Sequence, residues 1–166
     1  GGVLRYSSGS LIGVPGARNN LNTLTLQGGT RMNRVAGQPL FTKDPNCGCI
    51  DPTTNLVLNP LAWADAPAGQ WGFSAPTYSD YRWQRQVSEN INIGRTFPLR
   101  ERMSLEVRAE FFNFFNRLYL SGPSSGNPTQ TSTTNAAGQL TAGYGYINFN
   151  GIGGARNGQL VARFQF

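Results

Sequence analysis

The sequence contains no histidine, a single lysine (Lys43) and only two cysteines in 166 residues. Without histidine, the commonest acid–base group and triad partner is missing, and no other base, nucleophile and metal set stands in for it, so an enzyme is not expected. Charged residues make up 13%, about half the share of an ordinary soluble domain. No apolar run approaches the roughly 18 residues of a membrane helix. That excludes helical spans but not strands, which cross a bilayer with alternating side chains and look only half apolar. There is no initiator Met and no signal or transit peptide, so Gly1-Gly2-Val3 reads as a cut inside a longer chain or as a processed end.

What is present suits strands and long loops. The chain has 21 Gly, 10 Pro and 39% hydrophobic residues, with many Asn, Thr and Gln, a poor composition for a helical domain or a large soluble core. The net charge of +6 comes almost wholly from arginines scattered between Arg5 and Arg163. With no compact basic patch, arginines lining a barrel wall or meeting acidic lipid head groups explain the charge better than nucleic acid does. Tyr81-Arg82-Trp83-Gln84-Arg85 interleaves aromatic and basic groups as a single-strand binder would, but an interfacial aromatic girdle accounts for it without a ligand.

The cysteines form Cys47-Gly48-Cys49. That spacing is short for a relaxed disulfide, which leaves strained pairing, a bond to another chain, or free thiols. A disulfide between subunits through Cys47 or Cys49 is one expectation. A metal site would need Asp44 and Asp51 as further ligands, and two thiolates without histidine do not close a zinc site, so no metal or cofactor is expected.

Alternation carries the fold. Leu160, Ala162, Phe164 and Phe166 alternate with Gln159, Arg163 and Gln165, with Val161 the exception, as in a strand with one apolar and one wet face. In QVSENINIGRTF, Val87, Ile91, Ile93 and Phe97 share one face and Ser88, Asn90, Asn92, Gly94 and Thr96 the other. In MSLEVRAEFFNFF, Met103, Leu105, Val107, Ala109 and Phe111 oppose Ser104, Glu106, Arg108 and Glu110. With Pro98–Glu101 as a turn, these make an antiparallel hairpin. Leu105, Ala109 and Phe112 also fit helical spacing, but period two matches more positions. Arg108 between Glu106 and Glu110 makes a charged ladder rather than a catalytic carboxylate pair.

The expected layout is one barrel-derived segment: short strands over 1–42, an irregular loop over 43–80, the hairpin over 81–117, a long polar loop over 118–145 and a terminal strand region over 146–166. Leu21–Leu26 alternates as a short strand ended by Gly28-Gly29. Trp63, Trp71, Phe73 and Tyr78 punctuate the irregular loop, as anchors or as an interfacial belt. Tyr144, Tyr146, Ile147 and Phe149 begin another short strand, and Asn150-Gly151 with Gly153-Gly154 turns the chain into the last one. The fold class is all-β, with antiparallel amphipathic strands joined by long Gly-, Pro-, Ser- and Thr-rich loops.

The run R-x-E-x-F-N-x-F-N, here Arg108, Glu110, Phe112, Asn113, Phe115 and Asn116, resembles the near-terminal barrel strands of TonB-dependent outer-membrane receptors, in the subgroup with a carboxypeptidase-regulatory-like N-terminal domain. RVAGQPLF, VSENINIGRTFPL and GIGGARNGQLVARFQF resemble further barrel segments of that subgroup, in the expected order over residues 31 to 166. The resemblance implies import across the outer membrane and a last strand (Leu160, Ala162, Phe164, Phe166) read by the barrel-assembly machinery, with outer-membrane lipid as surroundings. Plug and coupling segments are absent, and about five or six strands fall short of the roughly eight a closed barrel needs, so the chain is not expected to transport alone. The alternative is a processed fragment that self-assembles through its strand edges into an extracellular filament. Its motive is that 43–80 and 121–145 would need packing neighbours to be ordered.

Overall fold

The structure, a computed structural model, describes residues 1–19, 30–148 and 154–166. Among the described residues its strands, in chain order, are β1 (Gly2–Ser7), β2 (Asn33–Arg34), β3 (Trp63–Ala64), β4 (Gln86–Arg100), β5 (Met103–Phe112), β6 (Thr133–Thr134), β7 (Leu140–Ala142) and β8 (Asn157–Gln165). A 3-10 turn, Pro60–Ala62, accompanies them. The fold is all-β and antiparallel, and the chain divides into two compact units.

The first unit is a four-stranded sheet in the order β1-β4-β5-β8. The alternating segments expected to pair do so: Ile93 lies opposite Ala109 and Phe97 opposite Leu105, while Ala109 faces Leu160 and Leu105 faces Phe164 on the other side. The helical alternative for 103–112 is not adopted. β4 is longer than its pattern indicated. It runs through Pro98 to Arg100, and the chain reverses at Glu101 and Arg102, not over Pro98–Glu101. The pairing shifts register between Pro98 and Arg100, the kind of irregularity that accommodates a proline in a strand. The antiparallel order puts that tight turn at one end of the sheet. The end of β1, the start of β4, the end of β5 and the start of β8 share the other end.

The second unit comprises residues 8–84 and 120–152 and holds the buried core. Its elements are the β2–β3 and β6–β7 pairs and isolated bridges such as Phe41 with Leu58 and Pro123 with Ile147. Tyr81 and Ile147 are 0% exposed, and Val57, Leu58, Ala62, Trp63, Trp83 and Tyr144 are buried around them. The Tyr81 ring sits 5.5 Å from both Phe41 and Trp63. The two halves of the unit meet through backbone bonds: the amides of Leu140 and Val57 donate to the carbonyls of Thr53 (2.8 Å) and Gly145 (3.1 Å). Gly145 has φ 83°, and a Cβ there would collide with the backbone nitrogens of Leu58 and Val57.

This packing corrects two expectations. Tyr81 and Trp83 do not form a girdle with their basic neighbours, because both rings are buried in this core, where Trp83 Nε1 donates to the Leu120 carbonyl at 3.0 Å. Irregular backbone in 43–80 and 121–145 packs on the unit's own core, so neighbouring subunits are not required to explain it. The expected strand at Leu21–Leu26 and the turns from Phe149 to Gly153 lie outside the described residues.

Candidate functional site

The sheet's two faces differ in chemistry. On one lie Ile91, Ile93, Arg95 and Phe97 of β4, Leu105, Val107, Ala109 and Phe111 of β5, and Leu160, Ala162 and Phe164 of β8. Many are open: Leu160 is 82% exposed and Ile93 71%. Leaving such a side chain in water forgoes roughly 1.5–3 kcal/mol, and a predominantly apolar, exposed sheet face of this kind marks a surface made for something other than water. The arrangement inverts that of a soluble protein, since the loops bury a core while the sheet displays its apolar face.

The opposite face carries the charged ladder. Arg108 Nε lies 2.7 Å from Glu110 Oε1, and Arg108 Nη1 lies 3.6 Å from Glu106 Oε1. In register, Glu106 faces Arg163 and Glu110 faces Gln159, whose amide donates to the Glu110 carboxylate. Ser104 Oγ and Gln165 Oε1 are 3.3 Å apart. Gly94 lies opposite Arg108, and a Cβ there would come within 3.1 Å of the Arg108 Cβ and Cγ. The missing side chain on β4 therefore leaves room for the arginine to lie along the ladder.

The R-x-E-x-F-N-x-F-N residues split into two groups. Arg108 and Glu110 belong to the ladder. Asn113 and Asn116 build the turn that ends β5, both with left-handed backbone, φ 50° and 52°, a conformation asparagine tolerates better than most residues. Asn113 Oδ1 accepts from the Arg117 amide at 2.8 Å, and its Nδ2 donates to the carbonyls of Arg117 and Gly154, each at 3.0 Å. Asn116 Oδ1 accepts from the Arg156 amide at 3.1 Å. The two asparagines thus tie the end of β5 to the approach of β8. Phe112 and Phe115 are exposed, and Phe115 stacks edge-on against Phe114 at 5.1 Å.

The pattern missed the ion pair beside this turn. Glu89 lies in β4 on the apolar side, between Val87 and Ile91, and is only 7% exposed. Arg117 holds it with Nε 2.8 and 3.0 Å from the two carboxylate oxygens and Nη2 2.8 Å from Oε1. The same carboxylate raises the Arg117 pKa. The Phe114 amide donates to the Glu89 carbonyl at 2.9 Å. The signal was present in the sequence: an acid interrupts an otherwise apolar alternation.

Leu160, Ala162 and Phe164 lie on the apolar face of β8, and the Phe166 ring stands 6.2 Å from Phe164. The cysteines correct the expected link between subunits: Cys47 and Cys49 are bonded to each other, with Cα atoms 5.1 Å apart, so neither thiol is left for a second chain.

A family model described as an outer membrane beta barrel domain matches residues 1–159. No curated protein and no solved structure matches the chain.

Proposed function

Because this chain belongs to the outer membrane beta barrel domain family, its strands belong to the outer membrane, and we propose that it is the portion of a TonB-dependent receptor carrying the last strands of the barrel. The single observation that carries this reading is the two-faced sheet. Its apolar face meets lipid, and the ladder of Glu106, Arg108 and Glu110 lines an aqueous lumen, where opposite charges can pair. By connectivity the long segments 8–84 and 120–152 join strand ends at one end of the sheet, and the tight turn at Glu101–Arg102 joins β4 to β5 at the other, which matches long external loops and short periplasmic turns. The receptor subgroup rests on the R-x-E-x-F-N-x-F-N residues, whose asparagines give that motif a structural purpose at the end of β5.

By itself the segment does not transport. The described sheet has two unpaired edges, β1 and β8. Open edges are not stable in hydrocarbon, and a closed barrel needs roughly eight strands or more. The partners are therefore the rest of the barrel, outer-membrane lipid and the barrel-assembly machinery. The test is to isolate from outer membranes the polypeptide in which this sequence occurs and measure its binding to the periplasmic domain of TonB. Saturable binding, with no channel formed by the chain alone in a planar bilayer, is expected. Stable unit conductances from the chain alone, with no TonB binding by the isolated polypeptide, would overturn the reading.

A further inference from the structure

In the middle of the apolar face stands a charged residue, Arg95. Arg95 lies in β4 between Ile93 and Phe97, opposite Val107. Among the described residues no carboxylate pairs with it, and Glu89, the acid on the same face, is already held by Arg117. An arginine facing lipid destabilises a barrel most at mid-bilayer and little at the interface. Its guanidinium leans over the Phe97 ring, 5.3 Å from the centroid, toward the end of the sheet that carries the Glu101–Arg102 turn. With a strand rise of roughly 3.3 Å and a tilt near 40°, Arg95 sits roughly 15 Å inside that turn. The leaning side chain brings its charge closer to the interface, as snorkelling arginines do.

Beside it runs an open apolar trough of about 430 Å³, floored by Ala109 and walled by Ile93 and Leu160. The trough exists because the small Ala109 lies between those two larger neighbours in register. We propose that Arg95 and this trough seat one anionic lipid of the periplasmic leaflet, with an acyl chain along Ala109 and the phosphate on the guanidinium. Charge complementarity selects the occupant, because a zwitterionic lipid would bring its own cation to the same place. Arg100 and Arg102 near the turn, outnumbering Glu101, add to the positive field. The inference rests on the lipid-facing reading of this sheet face.

The experiment uses the full barrel polypeptide in phosphatidylcholine vesicles, with a bimane label on Ala162→Cys, which lies on the same face and outside the trough. Brominated phosphatidylglycerol or brominated phosphatidylcholine is added at equal mole fraction. Phosphatidylglycerol should quench as though enriched about fivefold, the ratio matching ~1 kcal/mol for one arginine near the surface. Arg95→Gln should abolish the preference, and Arg95→Lys should retain part of it. Both variants remove a guanidinium from an apolar face and should fold at least as well as the parent. Equal quenching by the two lipids would overturn the lipid site and leave the lipid-facing reading standing. Quenching by neither would overturn both. Loss of the preference on adding millimolar inorganic phosphate would show a site for free anion and overturn the lipid assignment.

Discussion

Asn113 shows how much one residue does at the end of β5. Its left-handed backbone would disfavour most side chains by about 1–2 kcal/mol, and its amide bridges the Arg117 main chain and the Gly154 carbonyl. Asn113→Ala should therefore destabilise the folded barrel by roughly 1–3 kcal/mol. Asn113→Gly should lose less, because glycine accepts the backbone but not the hydrogen bonds. Urea unfolding in detergent micelles checks the order: native first, glycine second, alanine last. An alanine variant as stable as the native protein would refute this role.

At the scale of the element, the informative unit is the strand with two faces. In β8, Leu160 and Gln159 are neighbours in sequence yet lie on opposite faces. Leu160→Arg should cost roughly 2–4 kcal/mol of folding into vesicles. Gln159→Arg should stay within about 0.5 kcal/mol, because its side chain already contacts Glu110 across the ladder. Equal losses at both positions would mean that the faces are not chemically distinct in the membrane. These strands were legible in the sequence because a side-chain period of two survives in β4, β5 and β8 without help from distant residues. The end of β4 was misread because Pro98 resembles a turn residue until the register shift beside it is known. The Glu89–Arg117 pair was half legible: the break in alternation is local, but its partner lies 28 positions away.

Over the whole chain, sheet and loops are built on opposite plans, and the loop plan left little trace in the sequence. Its core comes from single residues in Gly- and Pro-rich stretches, joined across long separations, and no periodicity announces that. The hydroxyls of Tyr81 and Tyr144 meet at 3.1 Å although 63 positions separate them. Burial raises the pKa of both phenols above their ordinary 10.0. The folded loops thus hold these protons more tightly than the unfolded chain does. The resulting stability is complete below pH 10 and is lost as pH rises through the raised values. Ultraviolet titration should show two tyrosines that ionise late and together with loss of near-ultraviolet dichroism. Ionisation of all the tyrosines near pH 10, with the dichroism unchanged, would contradict the buried pair.

The central claim, that one sheet face meets lipid and the other an aqueous lumen, is tested most directly by single cysteines placed along β8 in the native outer membrane and exposed to a water-soluble maleimide. Cys47 and Cys49, bonded to each other, leave the background unreactive. Positions 159, 163 and 165 should label, and positions 160, 162 and 164 should stay protected. Uniform labelling along the strand, or labelling of the apolar set alone, would contradict the account.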